Sequence, residues 1–198
     1  MKKITYREII LASTSPRRIE ILGNTGIPFR MEASEYEEDM TLPMQEFELV
    51  KYLAYGKAKE VSDRFPKDLV VGGDTFVVHK GKFLGKPKTN EEAKSMLQAI
   101  SDETVNLVSG VSILHKDSGF EKSFHEVTTI TLRKIPVEAI DAYIKTKIPF
   151  DRAGAFGVQD IGSKFISQIQ GDYYNMLGLP LFRLLDELYA IDPDLIKS

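Results

Sequence analysis

Strand-like and helix-like patterns alternate along the whole chain, and this alternation is the strongest constraint on its fold. Short apolar runs rich in branched residues, such as Glu8–Ser13 and Leu69–Val78, predict buried strands. Apolar residues at helical spacing predict a helix over Gln45–Arg64. Other strands are separated only by turn residues, as at Asp117–Gly119, which favours antiparallel pairing. The sequence therefore predicts an α/β or α+β fold with a mixed sheet.

Nine further segments complete the predicted order of helices, strands and loops. Their boundaries rest on capping residues, glycines and prolines. They are a helix from Pro16 to Gly23 or Gly26, a strand at Pro28–Ser34, a helix capped by Asn90 and ending at Ile100, paired strands at Val105–Leu114 and Phe120–Leu132, a helix at Pro136–Thr146, a loop at Asp151–Ser163, a strand at Lys164–Gln170 and a helix at Leu179–Tyr189.

Composition removes several classes of protein. The 198 residues predict one domain, 1–198. The absence of cysteine excludes disulfides, thiolate metal sites and a cysteine nucleophile, and three dispersed histidines do not form a His-rich metal motif. A net charge of −3 argues against a nucleic-acid-binding protein. Since no apolar run approaches the ~20 residues of a membrane span, we expect a soluble cytoplasmic protein with no membrane partner.

The segment LASTSPRR places a Ser/Thr-rich turn between a strand and a helix. Ser15 is the predicted N-cap and Pro16 the first helical residue. The free N–H groups of a helix start, the hydroxyl of Ser13 and the guanidinium groups of Arg17 and Arg18 together suit phosphate binding. The alternative is a capped helix with two solvated arginines.

A carboxylate interrupts the hydrophobic run that contains GGDT. Asp74 follows two valines and two glycines, and a buried charge needs a partner or a metal. The residue is therefore a candidate metal ligand or general base. The alternative is an aspartate in a turn at the end of the strand.

Other charged candidates are less specific. The acidic run Glu35–Asp39 predicts a solvated loop, although one member could assist a divalent cation if the loop folds over Asp74. Lys57 lies among apolar positions of a helix, from which it either enters a cleft or extends to water. The stretch around Lys86 is no P-loop, because the glycine spacing is short and Pro87 stands where Ser or Thr is required.

Two glycine-containing segments near the C-terminus carry aromatic and amide side chains. Gly154–Gln159 could hold a planar base, with the aromatic stacking and the amide reading an edge, or could be an ordinary loop. For Tyr173 and Tyr174 we favour core packing, with Asn175 either facing a site or capping the last helix. Together, the cationic, hydroxyl and carboxylate residues at element ends fit metal-assisted hydrolysis of a phosphorylated small molecule.

The ordered motifs LASTSPRR, EE, LAYGKA, GGDT, GKP, AGAFGVQ and GDYYNMLGLPL resemble the Maf family over roughly residues 9–188. These nucleotide pyrophosphatases are structurally related to inosine triphosphate pyrophosphatases. The resemblance implies a two-lobed α/β fold, with helices flanking an elongated mixed sheet and the active site in a cleft. It also implies cleavage of a nucleoside triphosphate between the α and β phosphates, with Mg²⁺ or Mn²⁺. Related proteins commonly dimerise, so a homodimer is one expectation.

The resemblance assigns roles to matching residues. Asp74 matches the catalytic proton acceptor, and Glu38 matches the invariant glutamate. Both are candidate ligands of the divalent cation, and Asp74 could be chiefly such a ligand instead of the base. The phosphate-binding turn and the cleft lysines are matched by Ser13, Arg17, Arg18, Lys57 and Lys86.

Substrate preference within the family follows motif variants. Arg17, Thr75 and Gln159 resemble the branch that acts on dTTP and UTP. The alternatives are a 7-methyl-GTP or inosine-type pyrophosphatase and a nucleotide-binding regulator of cell division without turnover. The sequence departs from the family in GGDT for GADT, in Asp160 where many members have glycine, and over Ser101–Asn106.

Overall fold

The computed structural model describes residues 4–197, with strands and helices close to the predicted segments. The strands are β1 (Ile9–Ala12), β2 (Phe29–Met31), β3 (Leu69–His79), β4 (Lys82–Leu84), β5 (Thr104–His115), β6 (Phe120–Leu132) and β7 (Ile166–Gln170). The helices are α1 (Pro16–Gly23), α2 (Glu46–Arg64), α3 (Asn90–Ile100), α4 (Val137–Lys145), α5 (Gly162–Phe165), α6 (Tyr173–Met176) and α7 (Leu181–Ile191).

Within residues 4–197 the strands form one seven-stranded mixed sheet. Its order is β2–β1–β3–β5–β6–β7, with β4 paired to β3 in a hairpin. Strand β1 lies parallel to β2 and β3, whereas the other pairs are antiparallel. This confirms the predicted α/β class with a mixed sheet flanked by helices. No helix in this range is both long enough and apolar enough to cross a membrane.

The middle of β3 separates two apolar clusters on one face of the sheet. Val71 packs in a cluster with α1 and α7, and Val77 packs in a second cluster with α3 and α4. Thr75 lies between them on the same face, because side chains alternate along a strand. The intervening residues face α2 instead, so Asp74 points toward that helix. The two-lobed arrangement itself stays a prediction.

Several predicted boundaries were wrong in detail. The cap of α3 is Thr89 rather than Asn90, because the Thr89 hydroxyl accepts the Glu92 N–H at 3.1 Å. By contrast, Ser15 is the N-cap of α1 and Pro16 its first residue, as predicted, although the Ser15 side chain makes no capping bond. The predicted strand Lys164–Gln170 begins at Ile166, since the preceding residues form the short helix α5.

The C-terminal polar and aromatic residues also depart from expectation. Asn175 is buried within α6 and donates to the Leu107 carbonyl and the Thr128 hydroxyl, so it does not cap α7. Tyr173 is about half exposed rather than a core aromatic. Asp172 caps α6 by accepting the N–H of Tyr174 at 2.7 Å.

Candidate active site

A cleft of about 670 Å³ opens beside the centre of β3. The β1–α1 turn, α2, the end of the β3–β4 hairpin and the loop after α4 contribute its walls. All nine residues singled out from the sequence line it, namely Ser13, Arg17, Arg18, Glu38, Lys57, Asp74, Thr75, Lys86 and Gln159. The fold thus brings together side chains that lie up to 146 positions apart in the chain, from 13 to 159.

Arg18 links the β1–α1 turn to the rest of the cleft. Its Nε donates to the Gly178 carbonyl at 2.7 Å, and its Nη2 donates to Thr75 Oγ1 at 3.1 Å. Its Nη1 lies 3.4 Å from Ser13 Oγ, which also accepts the Ser15 N–H. Burial lowers the pKa of Arg18, opposed by the charges of Asp74 and Glu38. The guanidinium is therefore a fixed, largely desolvated cation rather than a solvated side chain.

The Thr75 hydroxyl is already bound within the protein. It lies 2.8 Å from the buried Ser109 hydroxyl and donates to the Gly178 carbonyl at 3.2 Å. These contacts accompany its bond from Arg18, so Thr75 helps to hold the guanidinium in place. Ser109, which faces Thr75 across the β3–β5 pair, was missed from the sequence because only strand register reveals it.

Lys57 of α2 lies between two carboxylates. Its Nζ lies 3.0 Å from Asp74 Oδ1 and 2.8 Å from Glu38 Oε1. The lysine side chain is only 13% exposed. Lys57 therefore enters the cleft instead of extending to water, which decides between the two interpretations left open by the sequence.

Tyr36 explains how the acidic loop reaches Lys57. Its ring packs on α2 at Gly56, where an added Cβ would lie 2.4 Å from Tyr36 Cζ. The N–H of Glu35 also bonds to Glu60 of α2 at 3.1 Å. These contacts place Glu38 over Lys57. The sequence signal for Tyr36 was the glycine within the LAYGKA helix, where a larger residue would ordinarily stabilise the helix.

Asp74 is a buried carboxylate, and only one of its two oxygens has a partner among the described residues. The residue is 7% exposed, and Oδ2 has no hydrogen-bond partner among the described residues. Burial raises the pKa of Asp74, and the charge of Glu38 raises it further. The positive charges of Lys57 and Arg18 oppose this rise. A raised carboxyl pKa and a free oxygen beside a cleft are suited to accepting a proton or to contacting a cation.

Lys86 and Gln159 lie on more exposed parts of the cleft wall. The Lys86 ammonium donates to Asp151 Oδ1 at 2.6 Å, although 62% of the side chain is exposed. Gln159 is exposed in the loop after α4. That loop also carries Arg152, which pairs with Asp160. Arg152 was missed from the sequence, although the loop was recognised, because its ion pair depends on how the loop folds back.

The sequence matches a family model described as Maf-like protein over residues 8–191. The chain belongs to the Maf family. A Maf relative from Bacillus cereus strain ZK, a dTTP/UTP pyrophosphatase, is 43% identical over 192 residues, which span 97% of this chain and all of that protein. A dTTP/UTP pyrophosphatase from Bacillus cereus strain ATCC 14579 is 42% identical over 192 residues, which again span 97% of this chain and all of that protein.

Solved structures give a weaker match to this Maf chain. A HAM1 protein from Coxiella burnetii matches with a TM-score of 0.49 and 18% identity, covering 92% of this chain and 98% of that chain. The Staphylococcus aureus Ham1 protein matches with a TM-score of 0.44 and 16% identity, covering 64% and 72% of the two chains. Similarity at this level carries no information on function.

Proposed function

We propose that this chain is a nucleoside triphosphate pyrophosphatase that hydrolyses dTTP and UTP to the monophosphate and pyrophosphate. The observation that carries the proposal is the buried Asp74 carboxylate in a cleft that also holds four proposed phosphate-binding cations, Arg17 and Arg18 of α1, Lys57 of α2 and Lys86. Asp74 Oδ2 has no hydrogen-bond partner among residues 4–197. Full-length relatives at 42–43% identity that are dTTP/UTP pyrophosphatases support the substrate.

The cations are arranged to bind a polyphosphate. Arg18 is held rigidly by three oxygen acceptors, and Arg17 lies beside it at the start of α1. Lys57 and Lys86 approach from other elements. Negative charge on the leaving pyrophosphate grows as the bond between the α and β phosphates breaks. Cations that are already in place stabilise that charge without reorganising.

Asp74 is proposed as the base. A water molecule that donates a hydrogen bond to Oδ2 would attack the α-phosphorus. A new P–O bond forms, the bond to the bridging oxygen breaks, and pyrophosphate leaves with the bonding electrons. The water proton passes to Asp74. Because burial raises the pKa of Asp74, the carboxylate is a stronger base than a solvated aspartate.

Asp74 and Glu38 are the proposed ligands of a divalent cation, Mg²⁺ or Mn²⁺. The fit rests on their oxygen atoms, which such cations prefer, and on the unpartnered Asp74 Oδ2. When bound, the cation would offset phosphate charge. Asp74 and Glu38 would supply two of its oxygen ligands. A single catalytic domain, a cytoplasmic location, a homodimer and no binding of nucleic acid remain predictions.

The proposed function is tested by measuring pyrophosphate release with Mg²⁺ or Mn²⁺ from dTTP, UTP, CTP, ITP, GTP and 7-methyl-GTP. We expect release from dTTP and UTP above the others. Preferred hydrolysis of ITP or 7-methyl-GTP would overturn the pyrimidine assignment. Tight nucleotide binding without release from any of them would instead support a regulator without turnover.

Changing Gln159 to glutamate is expected to shift base preference from UTP toward CTP by about tenfold, which corresponds to about 1.4 kcal/mol. The amide of Gln159 can donate to O4 of uracil and accept from its N3–H, whereas a carboxylate only accepts. The ratio of kcat/KM for UTP and CTP measures the effect. Gln168→Glu is the control, since Gln168 is exposed on β7 and does not line the cleft. An unchanged ratio in Gln159→Glu would contradict base reading by this residue.

A further inference from the structure

The carboxylate of Asp160 joins two side chains behind the exposed end of the cleft. Its Oδ2 accepts from Arg152 Nε at 3.0 Å and lies 3.0 Å from Arg152 Nη2. The same oxygen lies 3.4 Å from the hydroxyl of Tyr143, which donates to it from α4. Both Arg152 and Asp160 line the cleft, and Asp160 directly follows Gln159.

These contacts close the turn that carries Gln159. The Asp160 N–H bonds to the Gly157 carbonyl at 3.1 Å. A Cβ at position 157 would lie 2.0 Å from Asp160 Oδ2 and 2.7 Å from the Tyr143 hydroxyl. The carboxylate therefore lies directly against the turn backbone, and only glycine at 157 leaves room for it.

The loop is also held at its other end. The Gly154 N–H bonds to the Gly85 carbonyl at 2.9 Å, next to Lys86, and Gly154 packs against Val77 of β3. Gln159 thus belongs to a short turn with both flanks attached to the protein. The position of its exposed amide depends on the ring of contacts among Tyr143, Gly157 and Asp160.

Arg152 is not free to act as another phosphate ligand. Its guanidinium lies 3.0 Å from Asp160 and 3.9 Å from Asp151. Two carboxylates offset its charge, and its two shorter contacts involve Asp160. The pair is therefore better suited to fixing the loop than to contributing positive potential to the cleft.

We propose that Asp160 is a positioning residue for base selection: by holding Arg152, Tyr143 and the Gly157 turn, it sets the place of the Gln159 amide. The inference rests on the proposed function, since it assigns the base-reading role to Gln159. It goes beyond that function by giving Asp160 a role apart from binding phosphate or taking part in the chemistry.

Replacing Asp160 by alanine tests the proposal. The variant should raise KM for UTP and dTTP and lower the UTP/CTP ratio of kcat/KM, each by about tenfold, consistent with the loss of a charged hydrogen-bond acceptor. We expect kcat to stay within about threefold and inhibition by inorganic tripolyphosphate to stay unchanged, because the phosphate-binding cations are untouched. Asp160→Asn retains an acceptor oxygen of the same shape and should preserve most of the selectivity.

Matched measurements separate positioning from other effects. If Asp160→Ala does not fold, Arg152→Gln removes the same ion pair by replacing its cationic partner. This variant should also lower the UTP/CTP ratio of kcat/KM. An unchanged UTP/CTP ratio of kcat/KM in Asp160→Ala would overturn the proposal. If tripolyphosphate also inhibited that variant more tightly, the role of Asp160 would be only to neutralise Arg152. If the wild type hydrolyses no nucleotide, the proposed function fails, and the ratio of UMP to CMP affinity, measured by calorimetry, still tests Asp160.

Discussion

Replacing Asp74 by asparagine is expected to lower pyrophosphate release from dTTP by about 10²–10⁴-fold, the usual effect of removing a positioned base. The amide keeps the shape of the carboxyl group but cannot accept the water proton at neutral pH. Steady-state kinetics with the released pyrophosphate as readout measures the loss. Asp141→Asn is the matched control, because Asp141 pairs with Lys94 away from the cleft. Full activity in Asp74→Asn would exclude Asp74 from the chemistry.

The same variant is expected to be at least as stable as the wild type. Burial raises the pKa of Asp74, so the charged form destabilises the fold despite its contact with Lys57 and the nearby Arg18, and Glu38 adds to this cost. Below the ordinary aspartate value of 3.8 the carboxyl is protonated in both folded and unfolded chains, and no cost arises. As the pH rises above 3.8 and through the raised pKa of Asp74 in the folded protein, the wild type loses stability relative to Asp74→Asn.

Thermal unfolding in a chelating buffer, followed from acid to neutral pH, measures this difference. We expect the two proteins to have closely similar Tm values at the acid end and Asp74→Asn to have the higher Tm at neutral pH. A lower Tm for the variant at neutral pH would mean that the ion pair with Lys57 outweighs the cost of burying the carboxylate. Together with the kinetics, this experiment separates a catalytic role from a structural one.

Substituting alanine for Gly110 is expected to impair both stability and activity. Gly110 faces Asp74 across the β3–β5 pair, and an added Cβ would lie 2.3 Å from the Val50 carbonyl oxygen of α2. Helix α2 must move away from the sheet, at a cost of about 1–3 kcal/mol, typical of overpacking. For a chain of this size that corresponds to a loss of roughly 2–12 °C in Tm.

The movement would also change the site, because α2 carries Lys57. A displacement of the helix lengthens the 3.0 Å contact between Lys57 and Asp74, and misplacement by about 1 Å can cost about 100-fold in rate. We therefore expect kcat/KM to fall even at temperatures well below Tm. Gly23→Ala is the control, since the added Cβ has no described atom within 4 Å beyond its chain neighbours and the backbone of its own helix. A Gly110→Ala protein with wild-type Tm and activity would contradict the close packing of α2 on β5.

The local motifs pointed to the residues of the cleft because each sets a polar or charged group apart from its neighbours. The β1–α1 turn was recognisable from Pro16 and its flanking hydroxyls, and Asp74 stood out as a charge within an apolar strand. The roles assigned to these residues stay predictions until the variants are measured. Their convergence on one cleft is a property of the fold that the order of motifs does not contain.

Other features of the site depend on contacts that no local pattern encodes. Ser109 and Gly110 become significant only through the β3–β5 register, which places them opposite Thr75 and Asp74. The Arg152–Asp160 pair and its contact with Tyr143 depend on a loop folding back on α4. Such pairings involve residues in different elements or in an irregular loop, where hydrophobic periodicity gives no information.

The amino-acid sequence alone thus determined the alternation of strands and helices, the mixed sheet and the chemical groups available, because apolar periodicity and turn chemistry act over a few neighbouring residues. The tertiary structure alone decided that Lys57 lies between Asp74 and Glu38 and that Arg18 is held by Ser13, Thr75 and Gly178. It also left Asp74 Oδ2 without a hydrogen-bond partner in the part of the chain that the structure describes. These outcomes depend on which elements pack together, and packing also sets the burial that raises the pKa of Asp74.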